Sequence, residues 1–194
     1  VTVIATGQHR ELLTQVLDQT AMQVDVHLRV MRADQRLSDV FARTLKALDG
    51  ALQRADPALV AVHGDTTSSV AATLAAFYQR RAVAHVEAGM RTGDLSRPFP
   101  EEGHRRMTAT LASLHLAPSE RARDALLGEG VDPARIAVIG NTGLDALHAT
   151  LARLDAEALG DLTSLRAFLA VDSPRDGQAT VAPWAARSPL AEAW

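Results

Sequence analysis

Short apolar runs alternate along the chain with segments of helical period. The runs near 2–6, 25–30, 58–63, 82–87, 113–117 and 135–139 are too short for helices and apolar on both faces, which predicts strands of a covered parallel sheet. Between them, Leu37, Val40, Phe41, Leu45, Leu48 and Leu52 mark one face of a helix from about 36 to 55. The stretch Val70 to Phe77 is apolar nearly all round and predicts a buried helix. Ser119 with Glu120 reads as an N-cap and acidic first turn, and Gly128 and Gly130 close that helix. Asn141-Thr142 opens a last helix carried by Leu144, Leu147, Leu151 and Leu154. Repeated βα units predict an α/β fold: a doubly wound, Rossmann-like parallel sheet with right-handed crossovers. Beyond residue 160 the order fades. A short amphipathic piece (Leu162, Leu165, Phe168, Leu169) precedes a stretch from Val171 to Trp194 without period, so the expected division is a domain at 1–160 and a linker or irregular tail at 161–194.

Composition narrows the function classes. A formal net charge of −3 gives no electrostatic reason to expect nucleic acid or an anionic membrane as partner, so any anion must be held locally. The chain has no cysteine, which excludes a disulfide framework, a thiolate metal site and a cysteine nucleophile, and suits a cytoplasmic protein. No apolar run reaches the roughly 18 residues of a membrane span. The sequence opens on Val1-Thr2-Val3-Ile4-Ala5-Thr6-Gly7, which looks like an interior strand, so one expectation is that residues are missing upstream.

The candidate chemistry sits at strand ends. Val62-His63-Gly64-Asp65-Thr66-Thr67 and Ala84-His85-Val86-Glu87-Ala88-Gly89 each place a histidine two residues before a carboxylate, and Asp65 and Glu87 lie 22 positions apart. That spacing fits one strand-helix-strand unit, so both acids emerge at the carboxyl edge of neighbouring parallel strands, roughly 5 Å apart, where open α/β sheets bind ligands. Asp65 has a plainer reading as N-cap of the following helix. Glu87 does not, because glutamate has no capping preference at a strand end and is rarely buried unpaired. The loop from Ala88 to Pro100, rich in Gly and Pro, is long enough to cover a site. Pro100-Glu101-Glu102 resembles an ordinary helix start, yet Glu101 there would bring a third acid to the other two, and clustered carboxylates separate one another's pKa values into acid and base roles. His63 and His85 are either satisfied by backbone or neighbouring carboxylate, or ligate a metal with Asp65 and Glu87 as a divalent-ion hydrolase would. His104, Arg105 and Arg106 read as a solvated helix face. Gln8, His9 and Arg10, following the first strand, place an amide, an imidazole and a guanidinium at the same edge.

Five segments together carry a resemblance: Thr6-Gly7-Gln8-His9-Arg10-Glu11, Val62-His63-Gly64-Asp65-Thr66, His85-Val86-Glu87-Ala88-Gly89-Met90-Arg91-Thr92-Gly93-Asp94, Pro100-Glu101-Glu102 and Gly140-Asn141-Thr142. On these the chain resembles the non-hydrolysing UDP-N-acetylglucosamine 2-epimerases over about residues 1–160. The resemblance implies one half of a two-domain, glycosyltransferase-B-like fold that interconverts UDP-N-acetylglucosamine and UDP-N-acetylmannosamine for surface polysaccharide biosynthesis, as a homodimer and without a cofactor or metal. It implies elimination of UDP across C1 and C2, an enzyme-bound 2-acetamidoglucal, and re-addition of UDP. The family's catalytic carboxylates fall on Asp65, Glu87 and Glu101, with their individual roles open, and Gln8 and His9 match positions that bind substrate or an allosteric UDP-N-acetylglucosamine. Family members begin with one further strand and continue into a second domain that supplies most UDP contacts and a catalytic histidine. The sequence at Asp172-Ser173-Pro174-Arg175-Asp176-Gly177-Gln178 departs from that domain's start, so the expectation is a truncated gene product with little or no activity of its own. A non-catalytic sugar-nucleotide-binding or dimerising remnant is the alternative.

Overall fold

The computed structural model describes residues 1–7, Leu17 and 22–153. Gln8 and His9, the expected tail at 161–194 and the end of the last helix at Leu154 lie outside the described residues.

Two parallel sheets form among the described residues. Strand β1 (Ile4–Ala5) pairs with β2 (Val26–His27). Strands β3 (Leu59–His63), β4 (Ala82–Val86), β5 (Leu114–Ala117) and β6 (Ile136–Val138) pair in that order, all parallel. The alternation pattern predicted one sheet. It is resolved here into two because no hydrogen bonds join β1 to β3, and the outer edge of β3 leaves Leu59 at 49% exposure.

Helices α1 (Leu37–Ala55), α2 (Thr67–Tyr78), α3 (Glu101–Leu111), α4 (Glu120–Gly128) and α5 (Thr142–Arg153) lie between and after these strands, and the 3-10 turn Pro133–Arg135 leads into β6. Helix α1 buries Val40, Thr44, Leu48, Ala51 and Leu52, which recur at helical spacing as one stripe. Leu48 and Leu52 meet Val62 of β3, Val83 of β4, and Ala75 and Ala76 of α2 in the main core. Each leucine or valine there contributes about 1.5–3 kcal/mol on burial. The first ten residues of α2 are mostly small, which lets it lie close to α1 and α3. Burial runs through Val70, Ala71, Thr73, Ala75 and Ala76, whereas Phe77 and Tyr78 at the end are 51% and 65% exposed, so the predicted burial of 70–77 fails at Phe77. Ser119 caps α4 through Ala122 N–H at 3.3 Å, as its sequence predicts.

Candidate active site

The ends of β3 and β4 are built alike. His63 pairs in register with Val86, and the ladder runs one step further through Gly64 N–H to Val86 O at 3.0 Å. Both chains then turn through the left-handed region, Gly64 at φ +68° and Glu87 at φ +63°. Glycine adopts this conformation without strain, but for glutamate it costs roughly 1–2 kcal/mol, and such residues gather at functional sites. A Cβ on Gly64 would lie 3.7 Å from Glu87 Oε2, so the Glu87 carboxylate sits over Gly64, next in sequence to Asp65. Glu87 Oε1 is 3.7 Å from His63 Nε2, which is also 3.3 Å from Thr142 Oγ1 at the start of α5.

Asp65 is not the N-cap of α2. Thr66 takes that place, its Oγ1 accepting from Ser69 N–H at 3.2 Å. The Asp65 carboxylate turns to α3, where Arg105 Nε–H donates to Oδ2 at 2.7 Å and Nη2 lies 2.7 Å from the same oxygen. His104 Nδ1–H donates to the Asp65 carbonyl at 2.8 Å. These two residues, read from sequence as a solvated face, are therefore part of the site: His104 is 9% exposed and the Arg105 side chain 14%. Glu101 begins α3, directly after the N-cap Pro100. It shares the i, i+3, i+4 face with His104 and Arg105, so the helix face that grips Asp65 also carries the third acid. Glu101 stands on the same helix that contacts Asp65 through His104 and Arg105.

Glu102 is the functional residue that sequence reasoning passed over. It is fully buried, and its Oε2 accepts from Thr92 N–H at 3.1 Å while Oε1 accepts from Gly93 N–H at 3.4 Å and Arg106 Nε at 3.2 Å. Burial alone pushes this carboxyl up, but the hydrogen bonds from Thr92, Arg106 and Gly93 outweigh it and hold the group below its ordinary value. Glu102 thus fastens the loop 88–100 to α3. The loop is braced further by Arg91, which makes a two-point ion pair with Glu129 at 2.7 and 2.8 Å, and by the Asp94 carboxylate, which accepts from Ser96 Oγ–H and N–H at 2.6 and 2.9 Å. The Glu102 spacing to Arg105 and Arg106 was the available signal, since i+3 and i+4 partners meet on a helix.

His85 does not join His63. It is buried on the core side of β4, and its Nε2–H donates to Gly64 O at 2.9 Å. Burial pushes its imidazole below the ordinary value, against the raising effect of that bond and with help from Arg91. No group of three or more potential ligands that could hold a metal ion is found among the described residues, so the metal-hydrolase reading gains no support. With one histidine inside and one at the rim, the paired motifs do not converge as ligands.

A parallel α/β layer whose adjacent strand ends carry two carboxylates, with a third on the helix that contacts one of them, is a candidate carboxylate site at the edge where open sheets bind ligands. The chain belongs to the UDP-N-acetylglucosamine 2-epimerase family, whose model matches residues 1–171. It is similar to a probable UDP-N-acetylglucosamine 2-epimerase of Ralstonia solanacearum, 45% identical over 80% of this chain and 41% of that one. The UDP-N-acetylglucosamine 2-epimerase of Yersinia pestis is 49% identical over 75% of this chain and 39% of that one. Among solved structures, the Neisseria meningitidis enzyme bound to UDP-GlcNAc superposes with a TM-score of 0.75 at 40% identity, covering 86% of this chain and 45% of that one. The chain spans about two-fifths of the length of these curated relatives.

Proposed function

We propose that this chain forms the carboxylate part of a site that interconverts UDP-N-acetylglucosamine and UDP-N-acetylmannosamine, with Asp65, Glu87 and Glu101 as the catalytic acids. The observation that carries the reading is the flanking of Gly64 by Asp65 and Glu87, with Glu101 on the helix that holds Asp65. Epimerisation at C2 needs a base to remove the proton from one face and an acid to return it to the other. Loss of UDP leaves oxocarbenium-like charge at C1, which a nearby carboxylate stabilises. Three acids supply these tasks without a redox cofactor or metal.

The Neisseria meningitidis relative was solved bound to UDP-GlcNAc, which supports the same substrate here. Gln8 and His9 are assigned to substrate or allosteric binding on the family motif. The Rossmann-like domain is assigned to residues 1–160 on the sequence pattern, and a cytoplasmic homodimer feeding polysaccharide biosynthesis is the assembly and setting that the family suggests. No helix among the described residues is long and apolar enough to cross a membrane.

The test follows UDP-N-acetylmannosamine formation and C2 deuteration by NMR in heavy water. The 194-residue chain alone shows little turnover. A chimera in which it replaces the matching segment of the Yersinia pestis relative turns over, and Asp65→Asn, Glu87→Gln or Glu101→Gln each lower its rate by about 100- to 10,000-fold. A folded chimera that makes no product, or keeps its rate after all three changes, refutes the proposal.

A further inference from the structure

We infer that Arg105 is a positioning residue for Asp65, so that helix α3 both presents Glu101 and fixes the orientation of the acid opposite it. The inference rests on the reading of Asp65 and Glu101 as catalytic. Arginine–carboxylate contacts made through two nitrogens add geometric specificity as well as energy. Here Nε and Nη2 both lie 2.7 Å from Oδ2, a two-point hold on one oxygen that restrains χ1 and χ2 of Asp65. The clamp is itself held. Nη1 of Arg105 lies 3.6 Å from Oε2 of the buried Glu102, which is tied to the loop amides of Thr92 and Gly93.

The turn beneath the carboxylate is fixed with equal care. Three consecutive carbonyls accept side-chain donors: His63 O from Ser69 Oγ–H at 2.6 Å, Gly64 O from His85 Nε2–H at 2.9 Å, and Asp65 O from His104 Nδ1–H at 2.8 Å. With the backbone held from α2, β4 and α3, the freedom left to Asp65 is its side-chain torsions. Arg105 removes these. Because Glu101, His104 and Arg105 share one helix face, α3 cannot slide along the sheet without breaking both contacts to Asp65, so the separation of the two acids is set by one rigid element. A misplacement of about 1 Å in a reacting group costs about 100-fold in rate.

The decisive measurement is the χ1 rotamer of Asp65, read from three-bond couplings to its carboxyl carbon in the 194-residue chain. The wild type shows one rotamer, Arg105→Met shows averaging, and Arg105→Lys, with one compact donor group, falls between, while Glu87 couplings stay unchanged. Asp65 equally fixed in Arg105→Met overturns the inference. If Arg105→Met loses its cooperative thermal melt, Arg105→Lys decides: couplings identical to wild type overturn the inference, and partial averaging supports it. In the chimera, kcat falls about 100-fold in Arg105→Met with KM unchanged, and Arg105→Lys recovers part of it. A wild-type chimera without turnover sinks the epimerase reading and leaves the rotamer result to decide the role of Arg105.

Discussion

Replacing Glu102 by glutamine keeps the shape of the side chain and removes its charge. The carboxylate is fully buried and receives N–H donors at both oxygens: Thr92 at Oε2, Gly93 and Arg106 at Oε1. A glutamine amide must aim its NH2 at one of these sets. At Oε2 it confronts Thr92 N–H and the Arg105 guanidinium, and at Oε1 it confronts Gly93 N–H and Arg106. Hydrogen bonds to a charged group contribute about 1.5–3 kcal/mol each, and breaking a buried ion pair costs about 3–5 kcal/mol. Arg106 is 42% exposed and regains water, which favours the lower end, about 3 kcal/mol. With a urea slope of about 2 kcal/mol per M, the unfolding midpoint drops by about 1.5 M. Hydrogen exchange localises the loss, with the Thr92 and Gly93 amides losing protection ahead of the core. The variant also changes the acid response. Because the folded carboxyl titrates below its ordinary value, its stabilisation is complete above the unfolded value of about 4.3 and fades as pH falls through the folded one. Glu102→Gln lacks that slope. A wild-type midpoint together with protected Thr92 and Gly93 amides refutes the anchoring argument.

Gly89→Ala places a Cβ 2.2 Å from the Ala122 carbonyl oxygen at φ +87°, so it costs about 2–5 kcal/mol in strain and overpacking, whereas Gly93→Ala, with open space around it, costs only about 1 kcal/mol; comparable urea midpoints for the two refute the close approach of the loop to α4. His115 is fully buried and held down to about 4 by burial first and by Arg135 and His85 next, so the unfolded chain takes up a proton below about 6.5 that the folded one refuses. Stability therefore falls by about 3 kcal/mol between pH 6.5 and 4 on this account, and His115→Phe flattens the decline in urea midpoints measured across that range; an unchanged decline counts against it. Glu87→Gly relieves a left-handed glutamate, so its midpoint is equal to or above the wild type by up to about 1 kcal/mol while chimera turnover is lost, and a loss of stability above that size makes Glu87 a structural residue.

The strands and helices were legible because apolar periodicity is a local property. Short apolar runs such as 82–84 carry it, and Ser119 and Asn141 announced helix starts through residues that cap by the same local geometry. Which strands touch is a long-range property, and the separation of β1–β2 from β3–β6 was accordingly not readable from the pattern. At Asp65-Thr66-Thr67-Ser68-Ser69 every side chain is a candidate cap. The register of the turn decides for Thr66, and so frees Asp65 to reach Arg105.

Helix α3 was misread for a related reason. Glu101-Glu102-Gly103-His104-Arg105-Arg106 has no apolar stripe to show which side faces inward, and an all-polar run is by default a solvated one. The structure instead buries polar groups of this helix, with Glu102 at 0% exposure and His104 at 9%. Such burial is stable only when its charges are paired and its donors used, and the partners come from the strand turn and the loop, both distant in sequence. Apolar residues would fill the same space at lower cost in desolvation. What they could not do is hold Asp65 by carboxylate and carbonyl at once while presenting Glu101 from the same face. The buried polar groups of α3 thus tie two sequence-distant segments, the turn at Asp65 and the loop 88–100, to one helix.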